Sequence, residues 1–384
     1  MQHFYFDHNA TTPVAPEVLE TAAACLGQVY GNASSIHHFG QAAKQKMEEA
    51  RRRLAALMGC PVADLAFTSG GTEADNMAVL GVARAAGGAR PGHVITSAIE
   101  HPAVLGACEQ LEREGFAVTR LAVGGDGAVD PDDVGRALRP ETALVSILHA
   151  NNELGTVQPI AEIARIARAA GVPAHVDGVQ ALGKIPVDVE ALGIDLYSVS
   201  AHKVYAPKGA GALYVRKGTR MAPVAFGGHH ERDRRPGTEN VPGIAAFGAA
   251  AELAQGSLAA EAERVGGLRD RLEEAVLGRI PRAGVNGSRA ARTPNTSNMY
   301  FDGVDGEALT IALDLRGFAV STGAACSSGA LAPSHVLLAI GLSADRARSS
   351  MRFSLGRSTT AEQVDALVEA LADAVEHLRR ISTH

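Results

Sequence analysis

The sequence has no tryptophan, six lysines against thirty arginines, four cysteines, and only 4% aromatic residues. Each shortage excludes something. The cysteines stand far apart at 25, 60, 108 and 326, with no CxxC pair and no Cys/His spacing of the zinc type, so no metal site is indicated. Isolated thiols fit a reducing, cytoplasmic compartment, where a cysteine is either a small buried hydrophobe or a reactive nucleophile. No apolar run approaches the ~18–20 residues that cross a bilayer. The opening MQHFYFDHNATTPVAPEVLE lacks the basic-then-apolar pattern of a secretory signal, so neither a membrane span nor export is expected. A net charge of −6 argues against direct nucleic-acid binding, which wants clustered Lys and Arg. The one dense basic run, Arg51–Arg53, falls in a helical pattern and reads as a solvated face. The phosphate loop GxxxxGK[ST], a GxGxxG after the first strand, and HExxH are all missing. The adjacent pairs His37-His38 and His229-His230 would point about 100° apart on a helix, which does not make a metal site.

What is present is length and core: 384 residues, 46% hydrophobic, enough for one large and one small domain. Short apolar runs alternate with helical patterns, as in a βαβ sheet. The expected strands are Leu65–Thr68, His93–Ser97, Ala117–Leu121, Ala143–Leu148, Ala174–Asp177, Leu196–Ser200 and Gly211–Val215, several of them nearly all apolar, as for a sheet covered on both faces. Residues 159–170 place Ile160, Ile163, Ala164 and Ala167 at helical spacing. Beyond Pro242 two helical stretches, near 242–256 and 258–278, lead to short strands near Ser297–Phe301 and Arg352–Ser354. A last helix follows, with a Val364, Leu367, Val368, Leu371 stripe and a Thr360/Gln363 capping box. The expected division is residues 15–250 for a large cofactor-binding domain, and 1–14 with 251–384 for a smaller α+β domain.

Three features carry chemistry. Lys203 follows a strand in SVSAHK, where a Schiff-base lysine would be held rigidly at a sheet crevice, though alone it reads as well as a surface lysine. Asp177 ends the strand one βαβ unit earlier. A carboxylate there needs a cationic partner, and a protonated pyridine nitrogen is one; the alternative is a helix cap. The stretch Thr68-Ser-Gly-Gly-Thr72 runs from strand to helix, and its glycines and helix N-terminus suit a phosphate. Anion cradle, then Asp, then Lys in this order along one sheet is a combination that chance seldom supplies.

The chain resembles the cysteine desulfurases, fold-type-I pyridoxal-phosphate enzymes of the class V aminotransferase group. The resemblance is carried by DHNATTP (7–13), GNASSIH (31–37), FTSGGTEADN (67–76), HANNELGTVQPI (149–160), HVDGVQ (175–180), SAHKVYAPKGAGALYVRKG (200–218), RRPGTENV (234–241), STGAACSSGALAPSHVL (321–337) and RFSLGR (352–357), which together span the chain. It implies a mostly parallel seven-stranded sheet in a large domain, a smaller α+β domain, a pyridoxal 5'-phosphate cofactor and L-cysteine as substrate. Lys203 would hold the cofactor covalently. Asp177 would pair with the pyridine nitrogen and Gln180 with the ring hydroxyl oxygen. His101 would stack on the ring and shuttle a proton. Gly71, Thr72, Ser200 and His202 would hold the phosphate, and Thr238 would reach the phosphate in the other subunit of a homodimer with shared active sites. Asn152 and Arg352 would hold the substrate carboxylate, a planar guanidinium pairing bidentately with it.

Cys326, in TGAACSSG, is the expected sulfur acceptor. Its small-residue surroundings leave little to pack, so this segment is expected to move, as on the long flexible loop of the nitrogen-fixation and iron–sulfur-assembly type. Cys25, Cys60 and Cys108 read as structural. The resemblance implies an iron–sulfur scaffold or other sulfur-acceptor protein as partner. Three positions depart from the family's usual residues: Ala33 for Pro, Gly178 for Ala and Ala206 for Gly. Gly178 is expected to loosen the strand end beneath the ring. Selenocysteine lyase, cysteine-sulfinate desulfinase and, further off, an aminotransferase or a non-catalytic relative are alternatives on the same scaffold.

Overall fold

The computed structural model describes residues 2–86, 91–322 and 333–382. Its strands among these residues are β1 (Phe4–Tyr5), β2 (Leu65–Thr68), β3 (His93–Ser97), β4 (Ala117–Leu121), β5 (Thr142–Leu148), β6 (Ala174–Asp177), β7 (Leu196–Ser200), β8 (Gly211–Val215), β9 (Ala283–Val285), β10 (Thr296–Phe301), β11 (Phe318–Ala319) and β12 (Ser350–Ser354). Strands β2 to β8 form one sheet in the order β2-β8-β7-β6-β5-β3-β4. Strand β8 runs antiparallel to both neighbours, and all other adjacent pairs are parallel. The chain is therefore α/β, with a mostly parallel seven-stranded sheet.

The apolar runs have a direct cause. Alternate residues of a strand face opposite ways, and here both faces are covered. Leu144 of β5, Leu196 of β7 and Leu213 of β8 pack with Val79, Val104 and Leu111 from the helices Gly71–Ala86 and Pro102–Arg113. Their neighbours Val145, Tyr197 and Tyr214 join a larger cluster with Leu54, Ile163 and Phe247 on the other face. A separate cluster gathers Phe6, Val265, Leu272, Met299, Phe353 and Leu371 around the antiparallel sheet β12-β10-β9 and the parallel pair β1-β11.

Two expectations change. The stretches at 242–256 and 258–278 are one 39-residue helix, Val241–Arg279. No proline interrupts it beyond its first turn, and Gly256 costs only ~1 kcal/mol. Its first half buries Ile244, Phe247 and Ala251 in the large core, and its second half buries Val265, Leu272 and Val276 in the other core. This change of partner shifts the apolar stripe and mimics a break. The basic run is also not wholly solvated. Arg51 is 4% exposed and forms a bidentate pair with Glu231 (2.7 and 2.8 Å) while covering the Phe67 ring at 4.5 Å. Glu231 Oε2 also accepts from Phe67 N at 2.7 Å. This fastening holds Glu231, Arg232 and Asp233 in three successive left-handed conformations (φ +44°, +58° and +63°), each costly for a residue with a β-carbon. The capping box of the last helix, Ala361–Ser382, forms reciprocally between Thr360 and Gln363, both bonds at 3.3 Å.

Removing Arg51 strands a buried carboxylate. The expected outcome for Arg51→Ala is a loss of about 3–5 kcal/mol, read as a lower urea midpoint; an unchanged midpoint would refute the fastening.

Candidate functional site

The carboxyl ends of the parallel strands share one edge of the sheet. The chain order reverses between β3 and β5, which is where a doubly wound sheet opens a crevice. A cleft of about 310 Å³ lies along this edge, lined by Gly71, Thr72, His101, Asn152, Asp177, Gln180, Ser200, His202, Lys203 and Arg352. They come from several elements: Gly71 and Thr72 open the helix after β2, His101 follows β3, Asn152 follows β5, Asp177 ends β6 with Gln180 just beyond it, Ser200 to Lys203 leave β7, and Arg352 stands in the middle of β12. Ten residues expected to share a site are thus brought together. Thr238 is not in this cleft; it is exposed on its own chain, in irregular chain seven residues after Glu231. Cys326 lies outside the described residues.

At the anion end, the helix Gly71–Ala86 presents its first backbone N–H groups beside Ser200, whose Cβ lies 3.6 Å from where a β-carbon on Gly71 would be. Such a β-carbon would also sit 2.7 Å from Val179 Cγ2, so only glycine lets the helix approach the turn after β6 this closely. His202 is held by Thr11, Nδ1 to Oγ1 at 3.0 Å, and burial with nearby lysines pulls its pKa down to about 4.

At the other end, Asp177 Oδ1 accepts from Val179 N at 2.9 Å. Burial raises the Asp177 carboxyl, and His101 and Lys203 partly offset the rise. Such a group gains from a cation in the cleft. His101 Nδ1 accepts from Ala103 N at 3.1 Å, so the neutral ring carries its proton on Nε2. Burial lowers its pKa, with Lys203 and His335 adding to the effect. Lys203 Nζ donates to the carbonyls of Asn9 (2.6 Å) and Ala10 (2.7 Å). Arg352 is 2% exposed; it pairs with Asp7 at 2.6 Å and donates to Asn152 O at 3.1 Å. Its Nε has no partner among the described residues, a buried donor ready for an anion. The set as a whole fits an aromatic cation with an anionic tail, next to a small carboxylate.

Sequence reasoning passed over several members of the site. Asn9, Ala10 and Asp75 also line the cleft. Asp75 is fully buried and its Oδ1 has no hydrogen-bond partner among the described residues; burial and the neighbouring Asp177 hold it well above the usual carboxylate range. Beneath it, a neutral His175 bridges Ser146 (2.8 Å) and Ser198 (2.9 Å). Both lie inside the quoted blocks, Asn9 in DHNATTP and Asp75 in FTSGGTEADN, but among other polar residues that gave neither any local mark.

The expected loosening at Gly178 is not what the structure has. A β-carbon there would lie 2.0 Å from Tyr197 Cζ, so the phenol ring fills the space an alanine methyl would take. The Tyr197 hydroxyl then bonds His149 Nδ1 at 2.8 Å. Ala33 and Ala206 simply bury their methyls in the large core. Burial lifts the thiols of Cys60 and Cys108 to about 12, so neither is a ready thiolate.

Residues 4–367 match the family described as aminotransferase class-V. The chain is 48% identical over 380 residues to a cysteine desulfurase IscS of Dictyoglomus turgidum, covering 99% of this chain and 96% of that one. Among solved structures, a NifS-like protein superposes with a TM-score of 0.92 at 35% identity, covering 98% of this chain and all of the other. SspA in complex with cysteine superposes at 0.81 with 36% identity, covering 91% and 98%. The chain belongs to the class-V aminotransferase family. Within it, the chain's place is among the cysteine desulfurases.

The buried acids make a testable electrostatic feature. Glu100 is 0% exposed; burial raises its carboxyl to about 8, and Oε2 has no partner among the described residues. The folded protein therefore keeps a proton that the unfolded chain loses above its ordinary 4.5. This group's contribution is full at low pH and declines as pH rises through about 8. Glu100→Gln cannot ionise, so its denaturant midpoint should fall less than wild type between about pH 5 and about pH 9. Parallel profiles would show that Glu100 is not the titrating group.

Proposed function

We infer that this enzyme removes sulfur from L-cysteine, releases L-alanine, and carries the sulfur as a persulfide on Cys326 to an acceptor protein. One observation carries this reading: the Lys203 amine, the Asp177 carboxyl and the Arg352 guanidinium open into a single cleft at the switch point of the sheet. The fit to pyridoxal 5'-phosphate is chemical. Buried Asp177 wants a cation, the helix N-terminus with Thr72, Ser200 and His202 wants an anion, and a lysine amine stands between them.

When bound, pyridoxal phosphate supplies an electron sink that stabilises negative charge at the substrate α-carbon. Lys203 Nζ would hold it covalently, Asp177 would meet the pyridine nitrogen, Gln180 the ring oxygen, and Gly71, Thr72, Ser200 and His202 would hold the phosphate. Asn152 and Arg352 take the substrate carboxylate, the free Nε of Arg352 supplying a charge-assisted donor. Lys203 and His101 move protons at the α-carbon and the departing carbon. The Cys326 thiolate attacks the substrate sulfur; an S–S bond forms as the C–S bond breaks, and the carbon takes a proton and leaves as alanine. L-Cysteine and a thiol give alanine and a persulfide, so no outside oxidant is needed.

Residues 15–250 act in this reading as the cofactor-binding domain, and 1–14 with 251–384 as the smaller domain that carries Cys326. A homodimer completes the site, Thr238 of each chain reaching the phosphate held by the other. Its support is an exposed apolar stretch. Leu26 (70%), Tyr30 (71%) and Ile36 (93%) are open, and Tyr30 stacks on Phe39 at 5.3 Å. No helix among the described residues is long and apolar enough to cross a membrane. We place the enzyme in the cytoplasm, handing sulfur to an iron–sulfur scaffold.

The test is release of alanine and sulfide from L-cysteine with reductant present. Wild type should be yellow and release both in equal amounts. Cys326→Ala should keep the colour and lose sulfide release by at least about a hundredfold. Sulfide release by the variant at the wild-type rate would defeat the persulfide reading.

A further inference from the structure

Lys184 had no part in the sequence reading and does not line the cleft, yet its amine is one bond away from two residues that do. Nζ donates to Gln180 Oε1 at 2.5 Å and to Asn9 Oδ1 at 3.2 Å. Gln180 Nε2 in turn donates to the main-chain oxygen of Asn9 at 2.9 Å, the same oxygen that receives Lys203 Nζ at 2.6 Å.

The chemistry of these neighbours removes the usual ambiguity of an amide. A main-chain carbonyl can only accept, so the group of Gln180 that meets Asn9 O must be its NH2. The oxygen then faces Lys184 whether or not that amine carries its third proton. Asn9 is fixed in the same way. Its Nδ2 meets the carbonyl of Asn152 at 3.0 Å and Thr296 Oγ1 at 2.8 Å, while Oδ1 accepts from Asn295 Nδ2 at 2.9 Å as well as from Lys184. With one N–H of Gln180 spent on Asn9 O, the second remains for the cleft that Gln180 lines.

We propose that Lys184 is a positioning residue: it pins the Gln180 amide so that an N–H donor, not a carbonyl oxygen, faces the bound cofactor. Pinned in this way, Gln180 can serve an anionic ring oxygen and would repel none. Without Lys184 the oxygen of the amide loses its donor, and the single bond from Nε2 to Asn9 O holds the side chain less firmly. The charged and titratable groups around the amine are Lys203 and Arg352, which with burial hold it well below its usual value, and His8. This inference rests on the cofactor reading above.

The experiment is a pH titration of the visible absorbance of the cofactor-loaded protein, with no turnover involved. A donor on the ring oxygen favours the deprotonated form, so losing it raises the midpoint. Lys184→Met should raise the midpoint by about one pH unit, whereas Lys184→Arg, which keeps a donor, should leave it close to wild type. Gln180→Met should raise it by a similar amount, and Lys184→Met added to Gln180→Met should raise it no further, because the first acts through the second. A Lys184→Met midpoint equal to wild type overturns the proposal. So does a full further shift in the double variant, since Lys184 would then act by its own charge. A wild-type protein that takes up no cofactor and shows no visible band overturns the cofactor reading, and this inference with it.

Discussion

The main-chain oxygen of Asn9 receives two donors at once, the amine of Lys203 and the amide of Gln180. Around it the Asn9 side chain ties Asn152, Lys184, Asn295 and Thr296. One residue, four positions after β1, therefore joins the exits of β5, β6 and β7 to the start of β10. The cleft depends on this knot. Lys203 and Gln180 leave the paired strands β7 and β6, and their common anchor ties the two side chains to one point. The anchor is a segment of backbone, which no side-chain substitution at Asn9 can remove, and its strength comes from burial, where an unmade hydrogen bond is costly.

The electrostatics of the edge follow from the sheet. A parallel sheet covered on both faces leaves its strand ends as the place where polar groups can gather, and here they gather in excess of their hydrogen-bond partners. Asp75, Asp177 and Glu100 are all raised by burial, and the charge of Asp177 raises Asp75 and Glu100 further. Facing them are Lys203 and His101, whose charges lower Asp177. Two buried atoms without a hydrogen-bond partner among the described residues, Asp75 Oδ1 and Arg352 Nε, belong to residues that line the cleft.

Much of this was legible in the sequence because it repeats a simple rule. Strands β2, β3, β4, β6, β7 and β8 stand where apolar runs between turns put them, and β5 begins one residue earlier than read, at Thr142. Nine of the ten residues expected at the cleft lie at or just beyond strand ends or at a helix start, positions that a local reading can find; the tenth, Arg352, stands in the middle of β12. What was missed depends on distant partners. Strands β1, β9 and β11 have two or three residues and exist only by pairing. The helix Val241–Arg279 looked like two because it serves two cores. Arg51 looked solvated because Glu231, 180 residues away, is not visible from its own helix. Lys184 lies in an apolar stretch with nothing local to mark it.

Gly178 and Tyr197 share one volume, so the two positions are not independent. A β-carbon at 178 would stand 2.0 Å from the Tyr197 Cζ, and the ring cannot simply swing aside while its hydroxyl engages His149. An alanine at 178 and a tyrosine at 197 exclude each other in this backbone. Any exchange of side chain at one position is therefore constrained by what stands at the other.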